Sequence, residues 1–161
     1  MKAIIAEKPS VGIDIARVVG ATDKKDGYCT GNGYMVTWAL GHLVSLAMPG
    51  AYGYTKTSAE DLPMLPDPFR LVSRQVRTDK GMVTDIAAAK QLKIIDSVFD
   101  RCDSIIVATD CAREGELIFR WIYSYLGYTK PFQRLWISSL TDEAIREGLA
   151  NLCLLYTSDA A

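Results

Sequence analysis

The chain has 161 residues, 49% of them hydrophobic and 23% charged, with a net charge of −1. That is the size of about one domain, with an ordinary globular balance and enough apolar material to bury a core. It excludes a globally basic nucleic-acid binder, although a local basic patch would serve the same end.

Ala3-Ile-Ile-Ala6 reads as a strand that Glu7-Lys8 ends, an apolar stretch far too short to span a membrane or act as a signal segment. Pro9-Ser10 opens a helix with Val11, Ile15, Val18 and Val19 on one face and Gly20 as its stop. The Gly31-Asn-Gly33 centre predicts a hairpin between 28–30 and 34–40. From 41 to 69, prolines at 49, 63, 66 and 68 and glycines at 50 and 53 predict a long irregular insertion. Arg70, Arg74, Arg77, Lys80, Lys90 and Lys93 form a basic stretch opposed only by Asp79 and Asp85. It reads as a solvated helix face or as a DNA-backbone contact surface. A helical pattern is predicted over 80–100, with Ile86, Leu92, Ile95, Val98 and Phe99 as its apolar positions.

The β-branched run 104–109 predicts a buried strand, followed by an amphipathic helix from Gly115 with Leu117, Ile118, Trp121, Ile122, Tyr125 and Leu126 at helical spacing. A further strand is predicted over 132–138, and Thr141 caps a last helix whose stripe is Ile145, Leu149 and Leu152. Trp38, Trp121 and Trp136 fall on apolar faces and are expected in the core. Alternating strands and helices imply right-handed crossovers, so the fold class is α/β: a Rossmann-like, mostly parallel sheet flanked by helices, with a hairpin and a long irregular insertion. One domain is expected over 1–152, with 153–161 as a tail that continues no pattern and is non-native or disordered. Cys29, Cys102, Cys111 and Cys153 make no C-x-x-C pair, which argues against zinc and for reduced thiols in a cytosolic protein.

The most informative stretch is Asp110-Cys-Ala-Arg-Glu114-Gly-Glu116, which joins a strand end to a helix start. In an open parallel sheet that edge is where ligands and metals bind. Glu7 stands at the end of another strand. Glu7, Asp110 and Glu114 brought together would offer hard carboxylate oxygens to Mg²⁺. Asp110 and Glu114 could equally be helix-start acids placed against the dipole. Glu116 suits a solvated or ion-paired position, and Cys111 reads as a small side chain that fits. His42, the only histidine, is a structural imidazole or a DNA contact.

Three motifs in order, Ile4-Ile-Ala-Glu-Lys-Pro-Ser10, Ala39-Leu-Gly-His-Leu43 and Ala108-Thr-Asp-Cys-Ala-Arg-Glu-Gly-Glu-Leu-Ile118, resemble the Toprim domain of bacterial type IA DNA topoisomerases, in particular topoisomerase III. The likeness covers residues 1 to about 152. It implies Glu7 as general acid and base and Asp110 and Glu114 as Mg²⁺ ligands with Glu7. Lys8 would lie on the scissile phosphate, with Arg113 on phosphate or paired with a neighbouring acid. Lys8, His42 and Arg113 are the implied nucleic-acid contacts. The sequence departs from the commonest D-x-D-x-E pattern at Ala112, which removes one donor oxygen.

The resemblance further implies a tyrosine nucleophile in a later domain, in a motif like Y-P-R-T; none of the eight tyrosines here precedes proline. The expectation is an N-terminal fragment whose partners are single-stranded DNA and the remaining topoisomerase domains. It would be cytoplasmic and nucleoid-associated, with no membrane partner and inactive alone. Toprim domains also serve primases and nucleases, and a third possibility is a non-catalytic nucleic-acid module with vestigial acids.

Overall fold

The computed structural model describes residues 1–54, 58–79 and 81–154. In chain order the elements are β1 (Lys2–Ala6), α1 (Pro9–Val19), β2 (Asp23–Lys25), β3 (Tyr28–Gly31) and β4 (Tyr34–Trp38). Then come β5 (Val44–Leu46), β6 (Leu71–Ser73), β7 (Gln75–Thr78), β8 (Gly81–Thr84), α2 (Ile86–Asp100) and β9 (Ser104–Ala108). The chain continues with α3 (Arg113–Tyr125), β10 (Phe132–Arg134), α4 (Asp142–Ala150) and β11 (Cys153–Leu154). The main sheet has the order β11-β10-β9-β1-β4-β3-β2. Its four central strands are parallel, and β11, β3 and β2 add antiparallel edges. This is the mostly parallel α/β sheet expected from the alternation of elements.

Strand periodicity divides the core between the two faces. Ala3, Ile5, Met35, Ile105 and Val107 point to the side covered by α2 and α3, where Phe99, Phe119 and Ile122 fill the layer. Ile4, Val36 and Ile106 point the other way, onto Ile15, Ala16 and Ile145 of α1 and α4. Arg17 of α1 holds Asp142 of α4 through both carboxylate oxygens, at 2.9 and 2.6 Å. The strand order turns at β1: the chain passes from β1 to β4 on one side, then returns across to β9 on the other. Crevices at such reversals, beyond the carboxyl ends of the strands, are where open α/β sheets bind ligands.

Several local expectations are corrected. The helical pattern over 80–100 begins only at Ile86, and Lys80 lies outside the described residues. Residues 75–84 instead contribute a two-stranded antiparallel pair, β7 with β8. Asp85 is the reason the helix starts where it does: its carboxylate accepts from the amides of Ala87 and Ala88. Ile86, taken as an apolar core position, is 85% exposed, because the first helical residue projects before the core begins. The strand expected over 132–138 stops at Arg134, and Trp136 beyond it is 61% exposed rather than buried. The insertion carries the short strands β5 and β6, which pair with each other, and two 3₁₀ turns at Pro49–Tyr52 and Ala59–Asp61.

Three residues of the basic stretch are engaged within the chain. Arg74 reaches Asp85 and the carbonyls of Leu40 and His42. Arg70 packs over the Tyr52 ring and donates to Ala51, and Lys90 pairs with Asp26.

Candidate active site

β1 and β9 lie side by side in level register, Lys2 opposite Ser104 and Ala6 opposite Ala108. The residues that follow each strand therefore emerge at the same height. Glu7 is the first residue after β1, and Asp110 the second after β9. The Asp110 backbone N–H donates to the Glu7 carboxylate at 3.3 Å, linking positions 103 residues apart in sequence. Lys8 follows, 4.0 Å from the other Glu7 oxygen and largely exposed.

The turn from β9 into α3 is shaped by one absence of a side chain. A Cβ on Gly115 would lie 2.2 Å from the Asp110 carbonyl oxygen and 2.7 Å from its nitrogen. Only glycine lets the first turn of α3 rest on the backbone of Asp110, so the Glu-Gly-Glu spelling is a packing requirement. Ala112 occupies the helix N-cap and supplies no side-chain acceptor. Glu114 and Glu116 fall in the first turn, where negative charge meets the positive end of the helix dipole.

Beneath this turn lies a buried guanidinium. Arg134, 1% exposed, donates to the carbonyls of Thr109 and Asp110, to the Thr109 hydroxyl, and to Glu116. Arg120 donates to the other Glu116 oxygen at 2.6 Å. Burial of the Glu116 carboxyl works against its ionisation, but the hydrogen bonds from Arg120 and Arg134 outweigh it and hold the pKa below the ordinary value of 4.5. Of the two expectations for Glu116, the ion-paired one describes it.

Arg134 was the residue missed. Its sequence signal was slight: a cation inside the apolar run Phe132-Gln-Arg-Leu-Trp-Ile137, where an exposed position is the usual outcome.

The remaining sequence-derived site residues fall around the same rim. The Glu114 side chain is 76% exposed and lies 3.9 Å from His42 Nδ1. His42 in turn meets Trp121 edge-on, and its carbonyl is held by Arg74. Arg113 is exposed at the head of α3 and makes no ion pair among the described residues. The Asp110 carboxylate likewise has no hydrogen-bond partner among them. The structure thus brings Glu7, Lys8 and Asp110 together and sets Glu114, Arg113 and His42 on the α3 side. Among the described residues no three acidic, histidine or cysteine side chains stand close enough to hold a metal ion. The acids of the rim offer carboxylate oxygens, suited in kind to a hard divalent cation that keeps several waters.

A profile of the Toprim domain family matches residues 2–140. DNA topoisomerase 3 of Bacillus licheniformis is 47% identical over 153 residues, covering 92% of this chain and 20% of the relative. The DNA topoisomerase 3 of Shouchella clausii is 47% identical over 155 residues (94% of this chain, 20% of the relative), and that of Bacillus anthracis 50% over 154 residues (92% and 20%). The chain therefore spans about a fifth of the length of the curated relatives it matches. Among solved structures, full-length topoisomerase I from Thermotoga maritima aligns with a TM-score of 0.55 at 21% identity, over 94% of this chain and 21% of that one. At that identity the likeness shows the fold.

Proposed function

The chain belongs to the Toprim domain family, and from that premise we propose that it is the acid–base and metal-binding part of a type IA DNA topoisomerase, an isomerase that breaks, passes and rejoins single DNA strands. The observation that carries this reading is the hydrogen bond from the Asp110 amide to the Glu7 carboxylate. It ties the acids of two separate motifs into one rim at the reversal point of the sheet. The relatives named topoisomerase 3 support the same class.

In this reading Glu7 gives a proton to the departing 3′ oxygen and takes it back on rejoining. Lys8, a compact cation two-thirds exposed beside Glu7, lies against the scissile phosphate. Arg113 is a second phosphate contact. Glu7, Asp110 and Glu114, which form no ready three-ligand cluster among the described residues, would supply carboxylate oxygens to Mg²⁺, and water and DNA phosphate would complete its shell. When bound, such an ion would supply positive charge beside the broken ends. The attacking tyrosine belongs to a downstream domain of the longer protein. DNA and those domains are the partners, and the bacterial relatives point to the cytoplasm. No helix among the described residues is long and apolar enough to cross a membrane.

Ala112 and the spread of the acids favour one competing reading, a nucleic-acid module that has kept the fold and lost the chemistry. Calorimetric titration of the chain with Mg²⁺ separates the two. The expected result is binding that Asp110→Asn weakens and Ala112→Asp strengthens by adding a donor oxygen. Absence of Mg²⁺ binding, or binding indifferent to Asp110→Asn, supports the non-catalytic module instead.

A further inference from the structure

The loop that leaves β4 passes along the rim and is held at both ends. Its first residue, Ala39, donates its amide to the Ala6 carbonyl at 2.8 Å, directly before Glu7. At the far end the Leu43 carbonyl accepts from the Arg74 amide at 2.8 Å. Between them Gly41, at φ +67, turns the Leu40 and His42 carbonyls toward a single nitrogen, Arg74 Nη1, at 2.9 and 3.1 Å. We propose that Arg74 is a positioning residue for the α3 side of the rim: through this loop it sets His42 against Glu114. That the rim is a metal-binding one rests on the function proposed above.

The guanidinium is itself fixed from behind. Gln75 and Thr84 form the outermost pair at the base of the β7–β8 ribbon, so Arg74 and Asp85 are the posts on which the ribbon stands. The Asp85 amide donates to the Arg74 carbonyl at 2.9 Å. Asp85 Oδ2 accepts from Arg74 Nε at 2.9 Å and lies 2.7 Å from Nη2. The guanidinium is a rigid planar fork, so two nitrogens engaged on Asp85 determine where the third one points. It points at the loop.

The loop in turn meets α3. His42 Nδ1 stands 3.9 Å from Glu114 Oε1, and its ring meets Trp121 edge-on with centroids 6.1 Å apart. Glu114 and Trp121 lie about two turns apart on one face of α3, and the imidazole spans the interval. With 76% of its side chain exposed, Glu114 has His42 as its one ion-pair partner among the described residues. An exposed glutamate is otherwise free to change rotamer. A neighbour held in place narrows that freedom before a ligand arrives and so lowers the ordering cost of binding.

His42 is the single histidine of the chain, so its imidazole proton resonances can be followed by NMR without ambiguity, at fixed pH. In the parent chain Glu114→Gln should move them. In Arg74→Met they should shift toward those of an unstructured histidine, and adding Glu114→Gln should move them no further. Gly41→Val is the second variant, should Arg74→Met fail to fold. Its Cβ meets nothing within 4 Å, but a β-branched residue resists φ +67, so the two carbonyls turn away while the Arg74–Asp85 pair stays intact. It should displace His42 alike. Leu92→Ala opens a cavity in the same core layer without touching the guanidinium, and should lower the urea midpoint yet leave the resonances in place. Resonances unmoved in the Arg74 or Gly41 variant, or moved as far in Leu92→Ala, overturn the assignment. Titration with Mg²⁺ should show about tenfold weaker binding in Arg74→Met and parent affinity in Leu92→Ala. If the parent binds Mg²⁺ through Asp110 and Arg74→Met binds it equally well, the positioning role fails and the metal-binding reading stands. If the resonances behave as expected and the parent binds no Mg²⁺, the metal-binding reading fails and Arg74 still positions His42.

Discussion

Glu114 and Glu116 lie two residues apart on the same helical turn, yet one stands in solvent and the other is gripped by two arginines. Glu114 is 76% exposed, and His42 is its one ion-pair partner among the described residues. Glu116 is 23% exposed, with Arg120 on one oxygen and the buried Arg134 on the other. The contrast extends to the regions they belong to. The rim of Glu7, Asp110 and Glu114 keeps its carboxylates under-partnered and available. The layer below it spends its charges on one another and on the backbone of residues 109 and 110. Chemistry requires groups that are free to take a proton or a ligand. Those groups stay in place because a neighbouring set is fully satisfied.

The largest effect should come from breaking the lower layer. Arg134→Leu strips partners from Glu116 and from the Thr109 and Asp110 carbonyls, and should cost about 3–5 kcal/mol in a urea unfolding experiment. A loss under about 1 kcal/mol would mean the clamp holds nothing. Gly115→Ala should follow at about 1–3 kcal/mol, since the added methyl must push the Asp110 backbone away. It should also weaken Mg²⁺ binding by moving the rim, and full stability in this variant would contradict the packing seen at Asp110.

Glu116→Gln should cost about 1.5–3 kcal/mol at neutral pH, because it removes charge from two hydrogen bonds. Its folded pKa is lowered, so the contribution of Glu116 is complete above about pH 4.5 and fades as pH falls through the folded value. The variant should therefore show a flatter acid limb in stability against pH; an identical limb would remove Glu116 from the acid response. Smallest of all, Glu114→Gln should change stability by less than about 0.5 kcal/mol while reducing Mg²⁺ affinity. A large destabilisation there would erase the difference between the two carboxylates.

Much of the frame was legible from periodicity. The continuous apolar runs of β1 and β9 announced strands buried on both faces, and Asn32-Gly33, both at positive φ, produced the expected turn between β3 and β4. The pair β7–β8 carries no such signal, because an exposed ribbon needs no alternation of apolar and polar residues. All four β8 positions are exposed. Of the rim, the acids could be read because their motif sits on a strand-to-helix junction. The role of Arg134 could not, since its partners come from sequence positions 18 to 25 residues away and only the fold collects them. Trp136 differs for a related reason: a strand running over 132–138 would put it on an apolar face, but the chain leaves the sheet two residues earlier.

The level register of β1 and β9 has a mechanical consequence. Five consecutive residue pairs couple the two strands, and β4 and β10 brace them from outside. Glu7 and Asp110 ride on this plate as fixed points on one lever, so tension or rotation transmitted from any attached domain displaces both together. Their separation is insulated from such strain, so under the proposed function a movement that admits or releases a strand would have its pivot outside the plate.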